Sequence, residues 1–281
     1  MTSSRRKGKA MNLSQQRILL TGAGGGIGRL LGSELLARGA SLCRLVRQGD
    51  DALAAEDIPV GFGSRNLTLA CDITRPERRG AAVRAVERAW GGVDILINLA
   101  GVLDFGNFQE CDPGMLHQLL QVNVEAPMQL TRAVLPGMLE RGHGRIVNVG
   151  STFGSIGFPL FAAYSASKFA LRGYSQALRR ELAGSGVGVT YVAPRAVNTP
   201  LNPPVVHAMA AQGMMHMDEA GPVALAIARA IEKERGEVYL GFPESLFARI
   251  NGLLPGLVDL ALRRQLPSLQ GYANSHKLAR D

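Results

Sequence analysis

Arg17-Ile18-Leu19-Leu20-Thr21-Gly22-Ala23-Gly24-Gly25-Gly26-Ile27-Gly28 joins a short apolar run to a cluster of glycines. The first four residues have the character of a buried strand. The residues after the glycines have helical periodicity, with Leu30, Leu31, Leu35 and Leu36 as the expected buried stripe. Gly39 supplies a helix stop. A glycine turn between strand and helix suits phosphate. Gly22 permits a tight turn, Gly26 and Gly28 let backbone and helix approach closely, and the helix N-terminus offers N–H groups and positive dipole. The spacing is Thr-Gly-x-x-x-Gly-x-Gly, not Gly-x-Gly-x-x-Gly, and an ordinary flexible loop can also be glycine-rich. The strand before and the helix after therefore carry the dinucleotide reading.

Further short apolar runs occur at 41–46, 67–71, 93–97, 145–149, 187–192 and 237–240, with helical patterns in most of the gaps. Such alternation predicts an α/β fold: a single-domain Rossmann-type doubly wound parallel sheet of about seven strands, with helices on both faces. Residues 1–15 read as a disordered basic tail, 16–241 as the dinucleotide-binding catalytic domain, and 242–281 as a C-terminal helical extension of it. In that extension Leu246, Phe247, Ile250, Leu253, Leu254, Leu257, Val258, Ala261 and Leu262 recur at helical spacing, and Pro255-Gly256 should break the element. It suits a helix pair packed on the domain or on a partner subunit, a wall over an apolar pocket, or a peripheral membrane contact.

The 281 residues are 46% hydrophobic and 19% charged, as expected of a chain with a core. The net charge is +8, which raises the question of nucleic acid. Much of the excess is terminal, at Arg5, Arg6, Lys7, Lys9, Arg263, Arg264, Lys277 and Arg280, and no reading helix or aromatic platform accompanies it. No nucleic-acid partner is expected. Cys43, Cys71 and Cys111 have neither metal-ligand nor disulfide spacing. No metal is expected, and a reducing, cytoplasmic compartment fits. Neither a signal peptide nor a membrane span is read in the chain.

The end of the second strand separates NAD from NADP. An acid there binds the ribose 2′-hydroxyl, whereas Arg suits a 2′-phosphate. Leu42-Cys43-Arg44-Leu45-Val46-Arg47 has no acid. Arg47 stands where a phosphate clamp would, and Arg44 is a second candidate. NADP(H) is expected in preference to NAD.

Tyr164-Ser165-Ala166-Ser167-Lys168 sets a phenol and an ammonium one helical turn apart. A nearby cation favours phenolate, which a free tyrosine hardly forms at neutral pH. Ser151, just after the fifth strand, can donate to a carbonyl oxygen in the same site. With these residues in view, residues 17–240 resemble the short-chain dehydrogenase/reductase family in its short single-domain branch. Its glycine motif matches Thr21 to Gly28, Ile27 included. Its adenine-pocket acid matches Asp72 in Cys71-Asp72-Ile73. Its Asn-Asn-Ala-Gly motif appears as Asn98-Leu99-Ala100-Gly101, and its active-site asparagine as Asn123.

The resemblance implies that Tyr164 is the acid/base and that Lys168 holds the nicotinamide ribose and lowers the phenol's pKa. Ser151 would polarise the carbonyl, and Asn123 would seat a water in a proton relay. Pro194, Val197 and Thr199 match the segment that fixes the nicotinamide amide. Two residues depart from the pattern: Leu99 replaces an asparagine, and Arg195 replaces a glycine, where it would crowd the nicotinamide or supply charge near the substrate. Family members pack helices like those at 112–141 and 162–183 across a two-fold axis, so a homodimer or homotetramer is expected. After Thr199, Pro203, Pro204, Val205, Val206, Met209, Met214, Met215 and Met217 suit either a core cover or an adaptable apolar pocket. The substrate expected is an apolar or lipid-like ketone or secondary alcohol. Reduction of a 3-oxoacyl thioester is the alternative, and a non-catalytic NADP sensor or scaffold is the alternative outside enzymes.

Overall fold

The computed structural model describes residues 11–47 and 63–278. Seven parallel strands form its centre: β1 (Arg17–Thr21), β2 (Ser41–Val46), β3 (Asn66–Ala70), β4 (Ile95–Asn98), β5 (Gly144–Val149), β6 (Val187–Ala193) and β9 (Glu237–Tyr239). They pair in the order β3-β2-β1-β4-β5-β6-β9. A separate two-residue pair, β7 (Ala196–Val197) with β8 (Met217–Asp218), lies between β6 and β9 in the chain. The expected strand at 67–71 sits one residue earlier, and that at 93–97 begins two residues later.

Alternation of side chains along each strand sends neighbours to opposite faces, and both faces are buried. Ile18 and Leu20 of β1, with Ile95 and Ile97 of β4, join one apolar cluster, while Leu19 and Leu96 join the other. The first face is covered by α1 (Gly26–Ala37) and α7 (Ala220–Glu232) through Leu31, Leu35, Val223 and Ile227. The second is covered by α2 (Pro76–Trp90), α4 (Ala126–Arg141) and α5 (Ala162–Glu181) through Val83, Val86, Leu130, Val134 and Leu178. Full burial of each such side chain stabilises by about 1.5–3 kcal/mol.

Two expectations need correcting. Leu30 does not belong to the buried stripe of α1: it is 46% exposed, while Leu31 and Leu35 are fully buried. Residues 11–15 are not tail. Leu13 is buried, Met11 N–H donates to Glu232 O at 2.7 Å, and Gln15 N–H donates to Gly39 O at 2.9 Å. The basic residues of 1–10 lie outside the described residues. Soon after Thr199 comes α6 (Pro204–Ala211). The extension does break at Pro255, giving α8 (Glu244–Leu253) and α9 (Pro255–Leu278). Between α2 and α4, α3 (Pro113–Leu120) runs into a π-turn at Gln121–Glu125.

Candidate active site

Strand order reverses between β1 and β4, and in such sheets ligands bind beyond the carboxyl ends of the strands at that point. The residues singled out in the sequence emerge there. The glycine turn comes after β1, Asn98–Gly101 ends β4, Ser151 comes after β5, and Pro194–Thr199 after β6.

A cleft of about 860 Å³ opens at the reversal, lined by Gly22, Gly24 to Gly28, Arg47, Asp72, Ile73, Ala100, Gly101 and Thr199 among others. Gly22, Gly26 and Gly28 are sterically required. Gly22 has φ +67°, and a Cβ on it would sit 2.7 Å from Ala100 N. A Cβ on Gly28 would lie 2.1 Å from Gly22 O, and one on Gly26 would lie 2.7 Å from Thr199 Cγ2. Asp72 is held ionised. Burial pushes its carboxyl up, but Thr74 N–H and hydroxyl, donating at 2.9 and 2.7 Å, bring it below the usual range. Of the two arginine candidates, Arg47 is exposed on the cleft wall. Arg44 points elsewhere, donating to Asn66 Oδ1. Asn98 is also off the wall: its Nδ2 donates to Asn148 Oδ1 at 2.8 Å inside the sheet, and its own Oδ1 is buried without a partner.

Continuous with this cleft through Ile27, Leu99, Gly101, Thr199 and Leu201 is a smaller cavity of about 90 Å³. Ser151, Tyr164, Lys168, Pro194, Arg195, Val197 and Val206 are on its wall. Tyr164 and Lys168 stand one turn apart in the first turns of α5 and are 6% and 4% exposed. The Lys168 ammonium lies 5.6 Å from the Tyr164 ring centroid and donates to Val149 O at 3.4 Å. Burial disfavours a charged amine, and it lowers Lys168 to about 8. Tyr164 moves up to about 12 through burial, although a hydrogen bond with Ser151 acts the other way. The phenol is therefore neutral at pH 7, not drawn toward phenolate as the Tyr–Lys spacing alone suggested.

Asn123 lies in the π-turn and is fully buried. Its Oδ1 accepts from Val102 N at 2.9 Å, and its Nδ2 donates to Val102 O at 2.9 Å and Ser167 Oγ at 3.0 Å. Gly101 keeps a gap open between Asn123 and Lys168: a Cβ there would lie 3.3 Å from Asn123 Oδ1 and 3.4 Å from Lys168 Nζ.

Several contributors were not read from the sequence. Thr21 Oγ1 accepts from the N–H groups of Leu99 and Ala100 at 3.0 and 3.1 Å, fixing the turn after β4. Tyr191 accepts from Ser151 N–H at 3.4 Å and donates to Ser151 O at 3.2 Å. Ser167 hydroxyl donates to Tyr164 O at 2.7 Å, linking Asn123 to the helix that carries the phenol. Phe105, Phe153, Phe158 and Phe161 form a ring cluster against Tyr164, which is what desolvates it. Of these, Thr21 was detectable as a polar residue at the end of β1, but Tyr191 within β6, Ser167 within α5 and the phenylalanines carried no pattern.

The two departures are accommodated. Leu99 packs on the apolar cluster beside α1. Arg195 binds Asp218 at 2.7 Å and Glu244 at 2.9 Å and donates to Phe242 O at 3.0 Å, so its charge is balanced and it ties β8 to α8. In the segment after Thr199, Val206 and Met215 line the cavity, whereas Met209 is fully buried in the cluster beneath, with Met214 and Met217 against it. Leu269 and Ala273 of α9 close that cluster from the other side.

The family model for short chain dehydrogenases matches residues 16–210. The chain is 34% identical over 189 residues to a 3-oxoacyl-[acyl-carrier-protein] reductase of Vibrio cholerae, covering 67% of this chain and 76% of that protein. A 3-ketoacyl-(acyl-carrier-protein) reductase from Brucella melitensis complexed with NADH superposes with a TM-score of 0.72 at 28% identity, covering 83% of this chain and 99% of that one. A short chain dehydrogenase from Burkholderia cenocepacia in complex with NADP gives a TM-score of 0.75 at 26% identity, covering 90% and 99%. Sheet order, glycine cleft, buried tyrosine–lysine pair and these matches agree: the chain belongs to the short-chain dehydrogenase family and is a nicotinamide-dependent oxidoreductase acting on the carbonyl/CH–OH pair.

Proposed function

We propose that the chain reduces a ketone on an apolar, lipid-like substrate with NADPH, and that Tyr164 gives the proton. The observation that carries this is the burial of a neutral Tyr164 with Ser151 and Lys168 on one small cavity beside the glycine cleft. The cleft fits a dinucleotide in size and in its glycine backbone. A nicotinamide bound there supplies the hydride.

The chain's own residues do the rest. Tyr164 donates its proton to the carbonyl oxygen, and Ser151 polarises that oxygen. Lys168, charged below about pH 8, holds the ribose. Asn123, across the gap beside Gly101 from Lys168, seats a water for a proton relay. Gly22, Gly26, Ile27 and Gly28 receive the pyrophosphate, Asp72 and Ile73 the adenine side, and Ala100 and Gly101 the ribose side. Pro194, Val197 and Thr199 hold the amide, with Asn98 acting through the sheet beneath. Arg47 on the cleft wall, with no acid at the end of β2, supports the 2′-phosphate of NADP over NAD. Residues 16–241, with Met11–Gln15 packed on them, form the catalytic domain, and the helices from Glu244 to Leu278 are its extension. Leu120, Leu139 and Phe169 leave large apolar surface exposed on α3, α4 and α5, which supports a homodimer or homotetramer. The buried thiols Cys43 and Cys71 support a cytoplasmic location.

Leu103, Phe153, Phe161, Leu201, Val206 and Met215 give the cavity its apolar wall. A 3-oxoacyl thioester is the second reading, favoured by the acyl-carrier-protein reductases among the relatives. Arg195 is spent on two carboxylates and does not serve a phosphorylated carrier. Incubating the purified protein with NADPH and a panel of long-chain ketones, aldehydes, 3-oxoacyl thioesters and small polar carbonyls tests both. Loss of NADPH absorbance with ketones or thioesters of long chain is expected. Turnover confined to small polar carbonyls refutes the substrate class, and no turnover with any member refutes the reading.

A further inference from the structure

We propose that the α8–α9 hairpin docks this enzyme on anionic phospholipid membranes. The hairpin has one side anchored and one side bare. Ala248 and Val258 are buried against Ile156, with Ile250 and Leu262 packed around them. On the other side the tip presents Leu253, 81% exposed, with Leu254 and Leu257, and Leu246, Phe247 and Leu260 extend the patch back along both helices. Neighbouring Phe242 adds to it. Water gains nothing from contact with so many apolar side chains, and a monomer surface rarely leaves them together.

Charge selects the occupant. On α8, Leu246, Arg249 and Leu253 are spaced three and four residues apart and share a stripe. On α9, Leu257, Leu260 and Arg264 do the same, with Arg263 beside them. Arg249 also reaches a concavity of about 420 Å³ whose wall carries Arg229, Lys233 and Arg235. The acid on that wall, Glu237, is engaged by Arg172 at 2.7 Å, Gln176 at 3.2 Å and Tyr239 at 2.7 Å. The acids on the two helices are Glu244, bound by Arg195 and His216, and Asp259. Leucines at a tip with arginines behind them are the chemistry of an in-plane contact with negatively charged lipid. A second copy on a two-fold axis would bring the same cationic patch against itself. No helix among the described residues is long and apolar enough to cross the bilayer, so the contact is peripheral. The proposal does not depend on the catalytic assignment.

The test is flotation of the full chain with vesicles of phosphatidylcholine alone and with vesicles containing phosphatidylglycerol. The chain should float with the second and not the first. Binding should weaken by about fivefold per arginine neutralised in Arg263→Gln/Arg264→Gln, and should be lost in Leu253→Ser/Leu257→Ser. Both variants alter exposed side chains, and unchanged melting temperatures verify folding. Three results overturn the proposal: no flotation with either vesicle, binding that survives removal of the two leucines, or a wild-type oligomer that Leu253→Ser/Leu257→Ser dissociates without any vesicle binding.

Discussion

Thr21→Val changes almost nothing in shape and removes one oxygen. That oxygen accepts from Leu99 N–H at 3.0 Å and Ala100 N–H at 3.1 Å, from a side chain that is itself buried. A buried donor left unsatisfied costs about 1–3 kcal/mol. Leu99 and Ala100 are only partly buried, so the lower end applies, about 2 kcal/mol for the pair. For a chain of this size that lowers Tm by roughly 4–8 °C. Leu99 and Ala100 also line the cleft, so cofactor affinity should fall about tenfold if half to two-thirds of that energy is lost from the bound state. Thr21→Ser keeps the oxygen and loses a methyl. It should lower Tm by a few degrees and leave cofactor affinity within about threefold. Thermal melts and fluorescence titration with NADPH read both quantities. A Thr21→Val protein that binds NADPH as well as Thr21→Ser would refute the role given to this hydroxyl.

Arg47→Ala should weaken NADPH by about 10–100-fold, the worth of a charge-assisted contact, with little change for NADH; titration of both cofactors checks it, and a retained preference contradicts the clamp. The value of about 8 for Lys168 predicts a basic limb in kcat/KM for NADPH, which reports the free enzyme. Affinity should be full below that pH and decline above it, as the ammonium loses its proton, and Lys168→Met should abolish the limb. In stability the same group has the opposite sign: its lowered pKa favours the fold above the unfolded value near 10.4 and loses that contribution as pH falls through about 8. A limb near 10 would show that burial does not govern this amine. Light scattering should give a dimer or tetramer at micromolar concentration, and Phe169→Glu/Leu139→Glu should shift it toward monomer; a monomeric wild type contradicts the oligomer.

Much of this architecture was legible because parallel strands buried on both faces are short apolar runs, and β2 was read to its ends. Strand edges that moved, as at β3 and β4, are decided by pairing register, which one strand's sequence does not contain. Leu30 misled because an apolar residue at the edge of a helical stripe can face either core or solvent. Leu13 was missed because two apolar residues, Met11 and Leu13, are too few in a polar stretch to show a period. The pair β7–β8 is too short for any pattern. In the site, the motif residues converge as their spacing implied. The direction of the Tyr164 shift was misjudged, because sequence shows the lysine four residues away but not how the phenylalanines at 105 and within 153–161 converge to exclude water.

The measurement that bears most directly on the central claim is single-turnover reduction by Tyr164→Phe, with NADPH affinity measured on the same sample. The ring, and with it the packing against Phe153 and Phe161, stays in place. Affinity should remain near wild type, and the rate should fall by at least the roughly 10²–10⁴-fold of a lost general acid. A Tyr164→Phe enzyme that binds NADPH normally and transfers hydride at a near wild-type rate would contradict the account.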